Sequence, residues 1–446
     1  MIFLKNVWNG LYLHRWFFYL GAGVIFLFIT AFFLPALFLP VRFLLFGWIT
    51  LTLLDIILLF RENGLYAKRK LPEKMSNGDQ NQIDIIVENR YNFKIDTELI
   101  DEIPIEFQFR EFYYYQKIRA GQTSIFNYSL RPVFRGVVSF GKVYVYVSSP
   151  LRMVKRRYAF DEKADISVFP SFVQMKKYEL MAFSHKLFQH GLKKVRKLGH
   201  TMEFEKIKEY VAGDDFRTVN WKATAKSSKL MVNQYQDEKS QSVYCILDKG
   251  RVMKMPFDGL SLLDYAINAC LVVTNVVLRK QDYAGFFSFS RKVENRVVPD
   301  RRSTQMQRIM EALYNVKTDF YESDYGRLYG EIKKNIPHRS LLLLFTNFET
   351  LDGLNRQLPY LKAIAKNHLL IVVFFHNTEL DILIKSETDD TQQIFDKIIA
   401  EKFVFEKKLI VSELRKYGIQ SILSKPEDLT INTINKYLEI KSRGMI

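Results

Sequence analysis

"VYCILD", residues 243–248, is an apolar run that ends in an aspartate, and its reading decides the fold. No polar residue alternates through it to give one face to water. A strand that is apolar on both faces is buried on both, as in a parallel sheet covered by helices. The rhythm downstream agrees with this. A helical pattern at 259–280 leads to a strand at "AGFFSFS" (284–290), a helix near 303–315 and a strand at "SLLLLFTNF" (340–348). A helix near 354–366, the strand "HLLIVVFF" (368–375), a helix near 392–404, the short strand "GIQSILS" (418–424) and a final helix complete the series. Strands alternating with helices predict an α/β domain over 243–440 with a Rossmann-type parallel sheet. Ligands of such sheets bind outside the carboxyl ends of the strands. Here that points to Asp248 and to Thr346–Asn347.

Upstream the period changes to two. In "IPIEFQFR" (103–110), Ile103, Ile105, Phe107 and Phe109 alternate with Pro104, Glu106, Gln108 and Arg110, the pattern of a half-buried strand. "GKVYVYVSS" (141–149) and "ADISVFP" (164–170) repeat the idea. Short strands with turn punctuation predict a small β-sandwich-like domain over 83–172. A polar linker over 61–82 precedes it, and a connecting segment over 173–242 follows.

The N-terminus is apolar. After a tail of residues 1–15, residues 16–34 carry no charge, and residues 43–60 carry one, Asp55. Each run is long enough to cross a hydrocarbon core of about 30 Å. "PALFLPVR" between them allows a hairpin. A signal peptide would have a shorter apolar region and a cleavage site. Lys5 and Arg15 precede the first span, and Arg61, Lys68, Arg69 and Lys70 follow the second, whereas the turn holds only Arg42. The positive-inside rule then places both ends and the remaining chain in the cytoplasm, on a two-pass anchor in the cytoplasmic membrane. Asp55, five residues from the flank, is expected to reach interfacial water or Arg61 rather than to serve transport.

The net charge of +17 calls for an anionic partner. Residues 151–200 hold twelve Lys and Arg against four Asp and Glu, with "KRR" at 155–157 and "KKVRK" at 193–197. Beside a membrane this predicts contact with an anionic lipid surface, or a solvated face. Nucleic acid is disfavoured, because none of its usual recognition motifs is present. Two cysteines, Cys245 and Cys270, lie in apolar runs without metal-ligand spacing and read as buried reduced thiols.

Polar chemistry concentrates in "EYVAGDDFRTVNWKATAKSSKL", residues 209–230. Gly213 permits a turn, and Asp214 or Asp215 is suited to cap a helix over about 216–226. Arg217 and Trp221, four apart, are placed to stack as a cation–π pair. Lys222, Lys226 and Lys229 line another side. Adjacent aspartates point in different directions, so a capping role is favoured over paired catalytic carboxylates.

These residues also resemble a family signature. Tyr210, Gly213, Asp214, Asp215, Arg217, Trp221, Lys222, Ala225 and Lys226 match that of the domain of unknown function 58 family. "RPVFRGVVSFGKVYVYVSSPLRMVKRR" (131–157), "SVFPSF" (167–172) and the N-terminal hairpin are similar to other parts of it. The resemblance implies a C-terminal half similar to a von Willebrand factor A domain. Such domains often hold Mg²⁺ through Asp-x-Ser-x-Ser and a later Asp. Here Lys249-Gly250-Arg251-Val252 follows Asp248, and Asn347 stands at the later position, so Asp248 and Asn347 read as a degenerate remnant. No metal and no cofactor are expected, and Asp248 is expected to pair with Arg251 or a signature lysine.

The resemblance further implies partners: a MoxR-type AAA+ ATPase and other von Willebrand A-like membrane proteins, in assembly, maturation or stress protection of envelope complexes. No nucleotide-binding Gly-rich loop is present. The expected role is a non-catalytic scaffold or adaptor. Its signature helix would join the two domains, with Asp215 as cap, Trp221 buried and Arg217 paired to the acidic residues at 237–238. The alternative is a metal-dependent hydrolase using Asp214, Asp215 and Asp248, with His200 as base.

Overall fold

The structure is a computed structural model that describes residues 10–108, 113–183, 203–212, 214–236, 240–387 and 390–445. The chain divides into two compact units, Met1–Phe169 and Pro170–Ile446.

In the first unit, helices Arg15–Phe33 and Phe38–Phe60 run against one another. Both are long and apolar enough to cross a membrane. Their approach is close at Gly21, where an added Cβ would lie 3.1 Å from the Trp48 ring. The β part is built of sheets that are antiparallel except for one short parallel pair, around one apolar core. One sheet runs in the order Leu11–Leu13, Val154–Phe160, Val143–Ser148, Ile95–Asp101, Tyr114–Ile118. Another joins Leu65–Lys70, Asn81–Asn89 and Thr123–Leu130. Val143, Val145 and Val147 from the first and Ile83, Ile85 and Val87 from the second alternate into that shared core. The period-two pattern predicts such burial.

Three expectations change here. The segment 61–82 is not a linker. Leu65–Lys70 is a full strand of the second sheet, and Lys74–Ser76 pairs with Ala164–Phe169. Its alternation was hidden because the third inward residue is Arg69, whose charge is matched by Asp101 in the core. Conversely, "IPIEFQFR" forms no strand among its described residues. Pro104 leads into a 3₁₀ turn at Ile105–Phe107, and Ile105 is 87% exposed.

The third concerns Asp55, which reaches neither interfacial water nor Arg61. It is fully buried and accepts hydrogen bonds from Ser149 Oγ, Met153 N (2.8 Å) and Val154 N (2.9 Å). Leu59 and Phe60 lie in the β core, and the Tyr91 hydroxyl donates to the Leu59 carbonyl at 2.8 Å. The end of the second apolar helix is therefore part of the β domain. At the start of the first, His14 N donates to Met153 O at 3.0 Å, and its Nδ1 caps the helix by accepting from Trp16 N.

In the second unit a six-stranded sheet runs Val293–Asp300, Tyr283–Phe289, Ser242–Asp248, Leu341–Phe345, Leu369–Phe375, Gln420–Ser424. All neighbours are parallel except Val293–Asp300, an antiparallel edge that the alternating pattern did not announce. Along Ser242–Asp248 the side chains part by turns. Val243, Cys245 and Leu247 enter one core with helices Leu262–Arg279, Gln305–Tyr314 and Leu429–Ser442. Tyr244 and Ile246 enter the other, with Tyr325–Asn335, Leu351–Asn367 and the end of Thr391–Lys416. This is a mixed α/β unit, covered on both faces.

Candidate functional site

The signature residues build a small module. Strands Glu203–Glu209 and Met231–Gln236 pair antiparallel, and a 3₁₀ turn Phe216–Thr218 and helix Trp221–Ser227 fill the connection. The single helix expected over 216–226 is broken at Val219–Asn220, both extended. Asp215 caps only the 3₁₀ turn, accepting from Arg217 N at 3.0 Å. The helix is capped by Asn220, which accepts from Ala223 N at 3.0 Å. Asn220 also ties the connection to the hairpin, its N donating to Met231 O (2.9 Å) and its Nδ2 to Asn233 Oδ1 (2.8 Å). Asx residues are strong caps, so Asn220 carried a local signal that the Asp pair overshadowed.

Asp214 turns the other way, accepting from Lys208 Nζ at 2.8 Å and Val211 N at 3.0 Å. The Lys208 ammonium holds its carboxyl below the usual range. Tyr210 is half-buried, with its N–H on the Leu230 carbonyl. Lys222 and Lys226 are exposed on the helix. Gly213, His200 and the acidic residues at 237–238 lie outside the described residues, as does "KKVRK". Trp221, expected to be buried, is 63% exposed. Its ring meets that of Phe216, 60% exposed, edge-on at 6.1 Å, and no Arg217–Trp221 cation–π pair forms among the described residues. Val211 is exposed as well.

A second group sits at the carboxyl end of the parallel strands. Asp248 is completely buried. It accepts from Thr346 Oγ1 (2.7 Å), Gly250 N (2.8 Å), the Tyr325 hydroxyl (3.4 Å) and Ser323 Oγ. Burial raises its pKa, and the donors offset only part of that. The expected pairing with Arg251 or a signature lysine is not made; Arg251 bonds Glu322 at 3.0 Å instead. Lys249 turns to Glu294 (2.7 Å) and Asp319 (3.4 Å). Asn347 accepts the Lys407 ammonium at 2.7 Å. This donor set does not suit a hard cation, which needs several free oxygens and negative charge. One carboxylate is already occupied by hydroxyls, and an ammonium holds the other position. Ser323, Tyr325 and Lys407 were missed in the sequence because each comes from a distant, locally unremarkable helix or loop.

Asp248 makes a pH prediction. A carboxyl with a raised folded pKa contributes stability that is present below its unfolded pKa and lost as pH rises through the folded one. Asp248→Asn removes that loss. The wild-type-minus-variant difference in opening free energy of the Ser242–Asp248 amides, read by hydrogen exchange, is expected to fall between pH 4 and pH 8. A flat difference sinks the assignment.

In comparisons with known proteins, residues 206–392 match the family model "Protein of unknown function DUF58", a range that includes Tyr210 to Lys226 and the Asp248 group's strands. "Uncharacterized protein YeaD" of Bacillus subtilis (strain 168) is 24% identical over 131 residues, 28% of this chain and 30% of that protein. The chain thus matches less than a third of that relative's length. Among solved structures, the SpRpn10 VWA domain aligns over 44% of this chain and 93% of its own, at 8% identity and a TM-score of 0.28. The ASH/PapD-like domain of human CEP192 aligns over 24% and 87%, at 12% identity and a TM-score of 0.19.

Proposed function

We propose that this chain is a non-catalytic adaptor, anchored in the cytoplasmic membrane by a two-pass hairpin with both termini inside. Its signature module binds a protein partner, a MoxR-type AAA+ ATPase in the first instance. The C-terminal half serves as a von Willebrand A-like scaffold that meets similar membrane proteins, in the service of envelope complexes. One observation carries the reading: the aromatic pair Phe216–Trp221 faces solvent near the start of the family-matched segment.

Outward aromatic residues leave apolar area in water, and Trp and Arg dominate the energetics of protein interfaces. Arg217, Lys222 and Lys226, within five residues of the pair in sequence, are all exposed, so the complementary surface is acidic. Asp214 and Asp215 are engaged in local backbone and lysine contacts, which supports a structural role for them over the hydrolase alternative. Anionic lipid is the remaining partner for the chain's basic excess. Within the KRR run, however, Lys155 is paired to Glu98, and Arg156 bonds the Leu59 and Glu62 carbonyls.

The test places a photo-crosslinking amino acid at position 216 in the full-length protein in its native membrane and identifies adducts by mass spectrometry. An AAA+ ATPase is expected. Trp221→Ala should weaken its recovery by roughly thirty-fold, as for an interface residue contributing about 2 kcal/mol, with hydrogen exchange of the sheet unchanged. Adducts to lipid alone, or full recovery with Trp221→Ala, would overturn the reading. Labelling of a cysteine introduced at Arg42 from the outer side only is the expected result for the topology.

A further inference from the structure

Beyond the adaptor role, and independent of it, the second unit contains a cavity of about 260 Å³ with a mainly apolar wall. It opens at the carboxyl ends of strands Leu341–Phe345 and Leu369–Phe375, where parallel sheets take their ligands. Phe257 and Leu262, Phe375, and Phe403 with Val404 supply its walls, and Leu380 closes one side. The volume lies just below the range of about 300–1,000 Å³ usual for drug-sized ligands, so an occupant is small.

Lys407 lines this cavity from helix Thr391–Lys416, with only 8% of its surface exposed. Its Nζ donates to Asn347 Oδ1 (2.7 Å) and to the Phe348 carbonyl (2.5 Å). Both acceptors are neutral, and an ammonium has three donors. Among the described residues Lys407 makes no ion pair. The other polar groups of the wall are engaged elsewhere. His376 bonds Asp381 at 2.7 Å, and Asn377 caps the following helix through Glu379 N and Leu380 N. Glu349 is on the exposed rim, where water screens it. Its charge raises the Lys407 pKa, yet burial dominates and brings it down to about 8. A buried ammonium without a counter-charge is costly, and an anion that enters with it relieves that cost.

We propose that this cavity binds a small organic carboxylate, its apolar body against Phe257, Phe375 and Phe403 and its carboxylate on the third N–H of Lys407, whose ammonium otherwise meets only the Phe374 ring, 5.7 Å from its centroid, among the described residues. The charge-assisted hydrogen bond gives orientation, and the apolar wall distinguishes such a ligand from an inorganic anion.

The test uses the full-length protein in lipid nanodiscs and the probe 4-(trifluoromethyl)benzoate, followed by fluorine NMR. Saturable binding is expected. It should weaken by about tenfold or more in Lys407→Met, the loss expected for one hydrogen bond to a charged group. It should weaken similarly in Leu380→Trp, which fills the cavity without touching the charge. The neutral methyl ester should bind at least about tenfold more weakly than the acid. No saturable binding by the wild type, or equal binding by Lys407→Met, overturns the proposal. Displacement by inorganic phosphate at the same concentration as by unlabelled benzoate overturns it as well, since the apolar wall would then select nothing. If Lys407→Met does not fold, unchanged binding by Leu380→Trp decides against the cavity.

Discussion

Arg69→Ala should destabilise the β domain by about 3–5 kcal/mol, the cost of leaving one member of a buried ion pair alone. Both side chains of the Arg69–Asp101 pair are fully buried. Arg69 Nε donates to Asp101 Oδ2 at 3.1 Å and Nη2 to Oδ1, while the Tyr128 hydroxyl donates to Oδ2. Arg69 also holds the Glu162 carbonyl (2.9 Å) and the Gly141 carbonyl (3.1 Å). One guanidinium therefore joins the Leu65–Lys70 strand to the Ile95–Asp101 strand of the first sheet and to two loop carbonyls. Burial raises the Asp101 pKa even with Arg69 beside it, and without the guanidinium it rises further.

A raised folded pKa contributes stability that is lost as pH rises through it. The Arg69→Ala defect is thus expected to be larger at pH 8 than at pH 4.5. Hydrogen exchange of the Asn81–Asn89 and Val143–Ser148 amides in the full-length protein reads it, since local opening reports the stability of each region. A change under about 1 kcal/mol would show that leaving Asp101 without its partner costs little, against the expectation. The double change Arg69→Met with Asp101→Leu should cost less than Arg69→Ala alone, because it leaves no buried charge behind.

Asp55→Ala is expected to undock the second apolar helix from the β domain. Its carboxylate accepts three donors that no water reaches: Ser149 Oγ, Met153 N and Val154 N. Each unsatisfied buried donor costs about 1–3 kcal/mol. The change also lengthens the apolar run, so the helix gains from moving deeper into lipid. The expected readout is faster exchange at Met153 and Val154 in membranes, with the Ile83–Val87 core amides unchanged. Asp55→Asn keeps an acceptor oxygen and should show a smaller effect. Unaltered exchange at 153–154 in Asp55→Ala would mean that the helix end is held by Leu59, Phe60 and Tyr91 alone.

The alternation of helix and strand after residue 243 was legible because strands buried on both faces need no polar alternation, and this one has none. The apolar hairpin was legible from length and charge. Helix Leu262–Arg279 is also long and apolar enough to cross a membrane. Its place in a core shows that composition alone does not separate the two environments. The sequence suggested a cap at Asp215, but two extended residues move the helix start to Trp221 and give the cap to Asn220.

Sequence by itself determined periodicity, span length, charge balance and local caps, because those depend on neighbours within a few residues. Only the tertiary structure decided where the isolated charges go. Arg69 sits in a run that looks like solvated linker, Asp55 in a run that looks like lipid-facing helix, and Lys407 just past the helix expected near 392–404. Each is buried, and each is held by partners far along the chain: Asp101, residues 149–154, and Asn347 with Phe348. A buried charge is tolerable only with such partners, and the chain brings them together only by folding.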